Sequence, residues 1–388
     1  MTNTILKLML AVMCFVHMQV FAALPLMQTE QLSIKSQLLA QSRELIVYLP
    51  ADYAQSKQQY PVLYITDGDI QGAHTAGTVD YLSKFDLIPA MIVVGIVTPR
   101  QQRVEELTLA QTTTKPQKLA GADLVLAHFE QEIMPFIKSR YRTSDYQALA
   151  GTSHGGQFAV NAAIKRPGLF NGVIAISPSL YWNNNQVIDL AAAALKTQSI
   201  TGRLFLSIAN EEPLMTNAFQ QLIDLTNQYP TAKLQVLAKT FSDESHDSTT
   251  LVGQYHGLKH LFANWAIPNT PQNLTDLQAV FNARSQVLGQ KLQIPEDKAN
   301  GYSQWLQYLN RQDEALELLL WNRKNYPQSF NAHISLIKAY LHFKLTDKAK
   351  AAYDETLQSL KGITAAQQAE LYALFNVKAV KGGLQSQR

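Results

Sequence analysis

The sequence predicts an α/β fold: a doubly wound, mostly parallel sheet, followed by a smaller all-α region of helical repeats. Three observations carry this. Short continuous apolar runs, such as residues 60–65 (YPVLYI) and 91–97 (MIVVGIV), read as strands buried on both faces. Segments with helical spacing alternate with these runs, the pattern of a parallel sheet covered by helices. Around residues 267–271 (IPNTP) the strand pattern stops, and residues 272–388 read helical with a period of 34 residues.

Residues 1–22 are set apart from the fold: Lys7 supplies a positive start, residues 8–16 an apolar core, and Val20-Phe21-Ala22 a V-x-A cleavage pattern. That is a secretory signal peptide, which implies export to a bacterial periplasm or the medium. The only cysteine, Cys14, lies within it, so the mature chain is expected to have neither disulfides nor thiolate chemistry. Residues 32–49 alternate and end in ELIVYLP, reading as one or two antiparallel edge strands. The run 60–65 is a buried strand that stops at Thr66-Asp67-Gly68-Asp69, and 91–97 is a second. Residues 119–141 form a long helical pattern with Leu124, Phe129, Ile133 and Ile137 on one side. Strands are expected at 172–176, 203–209 and 234–238, with helices at 211–228 and about 248–265. This gives an α/β domain over 23–268 and a helical domain over 269–388. In the latter, the run 310–315 (NRQDEA) aligns with 344–349 (KLTDKA), and Pro327 closes the first unit; the pattern resembles tetratricopeptide repeats.

Composition excludes some functions. The chain has 388 residues and a formal net charge of +3, too small to argue for nucleic acid or an anionic membrane as partner. Three of the four tryptophans lie beyond residue 260, so the C-terminal part has a composition of its own.

The chemistry centres on Gly151-Thr152-Ser153-His154-Gly155, a G-x-S-x-G pentapeptide between an apolar run and a helical segment. A serine on a sharp strand-to-helix turn is a nucleophile elbow. The hydroxyl needs a base within hydrogen-bond reach and an acid that orients the base. His246, in the polar loop 241–248 (FSDESHDS), stands where the base belongs. For the acid, Asn210-Glu211-Glu212 follows a strand; Glu212 is favoured, Glu211 is second and Asp243 third. The backbone N–H groups of His154 and Asp69 are the expected oxyanion donors. Tyr181 and Trp182 are candidate walls of a substrate pocket, and Arg103 a candidate contact for an anionic substrate. His256 and His260 lie one helical turn apart, but no H-E-x-x-H pattern or third ligand accompanies them, so no metal site and no cofactor is expected.

Several stretches between residues 32 and 265 carry a family resemblance. They are Val47-Tyr48-Leu49-Pro50 with Tyr53, Tyr64-Ile65-Thr66-Asp67-Gly68-Asp69, Gly121-Ala122-Asp123 and Tyr141-Arg142-Thr143. The most specific are Gly151-Thr152-Ser153-His154-Gly155-Gly156, Ser177-Pro178-Ser179-Leu180-Tyr181-Trp182 and Glu244-Ser245-His246. With them the segment resembles the putative-esterase family of α/β-hydrolases, which includes esterase D, feruloyl and siderophore esterases and mycolyltransferases. The resemblance implies Ser153 as nucleophile, His246 as base and Glu212 at the acid position, acting on a small-molecule ester; the S-P-S-L-x-W loop is most similar to the siderophore-esterase branch. Ala209 departs from the glycine usual in the family, and the helical repeats lie outside its minimal domain. The alternatives are an acyltransferase on the same fold, or a binding protein that works through its repeats, with a protein partner there, and has an inactive hydrolase domain. No membrane span is expected after the leader.

Overall fold

The structure, a computed structural model, describes residues 27–110, 121–267 and 270–382. The expected leader at 1–22, with Cys14, lies outside the described residues. The chain divides into two compact units between Ala263 and Asn264.

The first unit is built on one eight-stranded sheet. Its strands are β1 (Gln28–Lys35), β2 (Ser42–Leu49), β3 (Tyr60–Thr66), β4 (Ile92–Ile96), β5 (Thr143–Thr152), β6 (Gly172–Ile176), β7 (Gly202–Ala209) and β8 (Leu234–Phe241). The spatial order is β1-β2-β4-β3-β5-β6-β7-β8. β1 and β2 form an antiparallel pair, Gln28 opposite Leu49, and β2 runs antiparallel to β4. All other pairings are parallel. Burial matches the sequence pattern. β2 alternates, so every second side chain faces the core, whereas the apolar β3, β4 and β6 are buried throughout because helices cover both faces. Tyr64 on β3 packs edge-on to Phe129, ring centres 6.0 Å apart, and Phe129 lies 5.4 Å from Phe158. This aromatic group ties the sheet to the helices on that face.

The helices of this unit are α1 (Gly68–Lys84), α2 (Arg103–Leu107), α3 (Gly121–His128), α4 (Met134–Arg140), α5 (His154–Lys165), α6 (Trp182–Lys196), α7 (Pro213–Gln228) and α8 (Thr249–Leu261). Within the described residues the 119–141 pattern forms helix from Gly121 to Arg140, but a π turn at Phe129–Ile133 interrupts it between α3 and α4. There the carboxylate of Glu132, four residues after His128, pairs with the His128 ring at 2.5 Å and accepts from Ser36 and the Gln37 amide. Besides the five-residue α2, two helices lie where the sequence carries no helical reading. α1 contains Gly72, Gly77 and two threonines, all poor helix formers. Tertiary packing overrides that, with Val79 and Leu82 buried and Gly72 against the Tyr48 ring. α6 opens with three consecutive asparagines, Asn183 to Asn185, in left-handed conformation, which masks its helical remainder.

In an open α/β sheet, ligands bind outside the carboxyl ends of the strands where the strand order reverses. Here that point lies between β3 and β5, since the chain steps outward from β3 to β4 on one side and to β5, β6, β7 and β8 on the other.

The second unit is helical among its described residues: α9 (Leu274–Leu288), α10 (Glu296–Tyr308), α11 (Gln312–Asn325), α12 (Phe330–His342), α13 (Thr346–Ser359) and α14 (Ala365–Gly382). The starts of α10 and α12, and of α11 and α13, are offset by the same 34 residues as the sequence repeat. Leu277, Phe281, Leu306 and Leu318 form one core, and Ile334, Ile337, Ala349 and Leu371 another. No described helix is long and apolar enough to cross a membrane.

Candidate active site

Ser153 stands between β5 and α5 with φ 61° and ψ −120°. For a non-glycine residue this backbone costs about 1–3 kcal/mol, so its surroundings must hold it. Three hydrogen bonds do so: Ser153 N–H donates to Ile176 O at 3.0 Å, and Ser153 O accepts from the amides of Gln157 and Ser179, both at 3.0 Å. The turn is too tight for side chains on its flanks. A Cβ on Gly151 would lie 2.1 Å from Gly155 O, and one on Gly155 would lie 2.2 Å from Thr66 Oγ1. The G-x-S-x-G spacing is thus a steric requirement of this turn. The Ser153 hydroxyl is 3.3 Å from that of Ser179, in the loop after β6.

His246 lies in the loop between β8 and α8. Its Nδ1 is 3.1 Å from Glu211 Oε1, in the loop after β7. The two loops are joined by the Asn210 N–H donating to Glu244 O at 3.0 Å. The sequence-based choice of Glu212 is therefore corrected: the carboxylate on His246 belongs to Glu211. The Glu211 side chain is only 4 % exposed, while Glu212 is the exposed N-cap of α7. The reason is local. Pro213 starts α7 one residue after Glu212, leaving the previous residue to turn inward. Asp243 is likewise exposed.

The electrostatics of the pair are complementary. The hydrogen bond to Glu211 raises the His246 pKa; burial opposes it, and the charges of Glu211 and Asp247 add to the rise. Burial alone would raise Glu211, but the hydrogen bond from His246, the nearby Ser177 hydroxyl and the His246 charge outweigh it and leave the carboxyl below its ordinary value. His246 Nε2 has no hydrogen-bond partner among the described residues, and no hydrogen bond joins it to Ser153. Catalytic hydrogen bonds are often long before substrate binds.

The expected oxyanion donors lie at two helix N-termini. The Ile70 and Gln71 amides both donate to Asp67 O, which leaves those of Gly68 and Asp69 without intrahelical partners. On the other side, α5 begins at His154, and its first amides are free in the same way. Gly68 lets α1 start against β4: a Cβ there would lie 2.3 Å from the Gly95 carbonyl carbon. Both helix dipoles favour negative charge at their starts.

Arg103 has a role the sequence did not suggest. Rather than projecting free toward substrate, its Nε and Nη2 donate to the two oxygens of Asp67 at 2.8 and 2.9 Å, and Nη2 also reaches Thr152 O at 3.3 Å. Asp67 is buried, with a left-handed backbone at φ 55°. One guanidinium thereby ties the residue before Gly68 to the residue before Ser153. The helix carrying Arg103 is itself anchored by a buried Arg43–Glu106 pair at 2.6 Å. Only Asp67 at the end of β3 was legible as a motif; its partnership with Arg103 has no sequence signal.

Trp182 packs edge-on to the His154 ring at 5.2 Å, so it stands beside the elbow. Tyr181 instead packs against the core. Burial first, then the charges of Arg103 and His246, lower the His154 pKa. His256 lies against Phe241, with ring centres 5.4 Å apart, and His260 Nε2 meets Gln235 O at 3.1 Å. Among the described residues no group of three or more His, Cys, Asp or Glu is placed to hold a metal ion.

Comparison with known proteins shows a family and a fold. A family model described as Putative esterase matches residues 36–265. A siderophore triacetylfusarinine C esterase of Aspergillus fumigatus is 28% identical over 151 residues, covering 36% of this chain and 51% of that protein. The chain thus spans about half the length of this relative. A siderophore enterobactin esterase of Emericella nidulans is 36% identical over 80 residues, 20% of this chain and 26% of that one. Among solved structures, an IroE-like serine hydrolase from Shewanella oneidensis superposes with a TM-score of 0.65 at 26% identity, covering 77% of this chain and 99% of that one.

Proposed function

The chain belongs to the putative-esterase family of α/β-hydrolases, and from that premise we propose that it is a serine carboxylic-ester hydrolase in which Ser153, His246 and Glu211 act together. The observation that carries the reading is the strained Ser153 turn at the sheet's switch point, with a buried carboxylate fixing His246 on the neighbouring strand loops. His246 Nε2 takes the Ser153 proton as the Oγ bonds to the ester carbonyl carbon. The amides of His154 and of Gly68 or Asp69 hold the resulting oxyanion, each contributing about 3–4 kcal/mol in comparable sites. The carbonyl–alkoxy bond then breaks and the alcohol leaves with the proton from His246. Water adds to the acyl-enzyme by the same route in reverse and releases the acid. Glu211 keeps the imidazole in the tautomer with its Nδ1 proton turned inward.

Residues 1–22 support export as part of this reading. The siderophore esterases among the relatives favour a siderophore-type or other small acyl ester as substrate. The repeated helix pairs of the second unit support a tetratricopeptide-like surface for a protein partner. Hydrolysis of p-nitrophenyl esters from acetate to octanoate tests the catalytic reading. Turnover by the full chain that falls to background in Ser153→Ala is the expected result; turnover unchanged in that variant would refute it.

A further inference from the structure

Four large aliphatic side chains are left exposed at one edge of the first unit. They are Ile70 at 54 %, Val104 at 42 %, Leu214 at 62 % and Leu251 at 55 %. Scattered exposed aliphatics are ordinary on any protein surface, so it is the placement of these four that matters. Each is the second or third residue of a helix: α1, α2, α7 and α8 respectively. Each of those helices comes after a parallel strand, and the residue or loop before the aliphatic holds part of the site. Gly68 and Asp69 precede Ile70, Arg103 precedes Val104, Glu211 precedes Leu214, and the His246 loop precedes Leu251. All four therefore stand at the carboxyl ends of the strands, where the site opens, and Trp182 adds an aromatic face beside His154. Of the other exposed apolar side chains of this unit, Phe85 lies at the far end of α1, and Tyr81 lines an apolar cleft together with Leu251 and Tyr255.

We infer that these four residues form an apolar rim that binds the non-reacting part of the substrate and selects an uncharged ester with a bulky apolar group. This rests on the hydrolase reading above and names its substrate class. A substrate group that extends well beyond the reacting carbonyl must cross the rim, and it gains by covering aliphatic surface otherwise left in water. The exposed carboxylates interleaved with the rim, Asp69, Glu105, Glu212 and Asp247, outnumber the exposed Arg100 of the β4–α2 loop and disfavour an anionic ester, and the charge of Arg103 is already met by Asp67. Binding energy from such remote contacts appears in kcat/KM for the large ester and is absent for the small one.

The test measures kcat/KM for p-nitrophenyl octanoate, p-nitrophenyl acetate and the anionic mono-p-nitrophenyl succinate. It uses the full chain, the Ile70→Ser/Leu214→Ser/Leu251→Ser variant and a Leu357→Ser control, an exposed aliphatic on α13 of the second unit. Wild type is expected to favour octanoate over acetate and to disfavour the succinate. In the rim variant the octanoate-to-acetate ratio is expected to fall about tenfold, with acetate turnover and the thermal midpoint unchanged because the replaced side chains are exposed. Leu357→Ser is expected to keep the ratio. An unchanged ratio in the rim variant, an equal fall in the control, or a wild type that prefers the succinate overturns the rim while leaving Ser153 hydrolysis standing. Acetate turnover that survives Ser153→Ala overturns the hydrolase reading itself.

Discussion

At the scale of single residues, the proposed chemistry turns on which of two adjacent glutamates faces His246. Glu211 is buried and bonded to the imidazole, and Glu212 is in solvent at a helix start. This fixes the sign of the pH effect. In the proposed mechanism His246 works as a base only when neutral, so the acid limb of kcat/KM would report its pKa. The hydrogen bond and charge of Glu211 raise that pKa, placing the limb above the ordinary histidine value of about 6.5. Glu211→Gln removes the raising charge, so the limb moves to lower pH while the plateau drops, by roughly 10²–10⁴-fold in kcat. Glu212→Gln leaves both in place. A pH profile of the two variants separates the assignments, and a shift seen only in Glu212→Gln would reverse them. Sequence could bring the pair of glutamates to the right loop, because a loop after β7 is where the acid belongs. It could not choose between them. The choice depends on where α7 begins, and that is set by Pro213 and by packing rather than by the acidic residues themselves.

At the scale of elements, the elbow was legible and its supports were not. A run of buried apolar residues, a glycine-flanked serine and a helical segment are local signals, and the structure returns β5, the turn and α5 in that order. α1 gave no such signal, because its glycines and threonines weaken local propensity, and it forms through packing on β4 and Tyr48. The Arg103–Asp67 strap joins residues 36 apart, a contact no periodicity reveals. The steric account of the elbow makes a prediction of its own. Gly151→Ala puts a Cβ 2.1 Å from a backbone oxygen and is expected to cost about 1–3 kcal/mol of stability along with most of the activity. Gly77→Ala, in α1 with nothing within 4 Å, is expected to stabilise by about 0.5–1 kcal/mol and to leave activity intact. Denaturant unfolding and initial rates on both variants check this; equal behaviour of the two would show that the turn tolerates a side chain.

At the scale of the whole molecule, the sheet order explains why the functional residues come from separated segments. Residues after β3, β4, β5, β7 and β8 converge because parallel strands bring their carboxyl ends to one edge. The alternation of apolar runs and helical segments made this architecture readable, and the end of that alternation marked the second, helical unit. The three-dimensional neighbours of each side chain were out of reach, since they depend on sheet order and on loop conformation. A single reactive serine in the whole chain is the central claim, and active-site-directed labelling tests it most directly. The full protein would be treated with a fluorophosphonate, weighed intact and mapped by peptide mass. The account predicts one adduct per chain, on Ser153, lost in Ser153→Ala and slowed in Glu211→Gln. An adduct on another residue, or active protein that takes up no label, would contradict it.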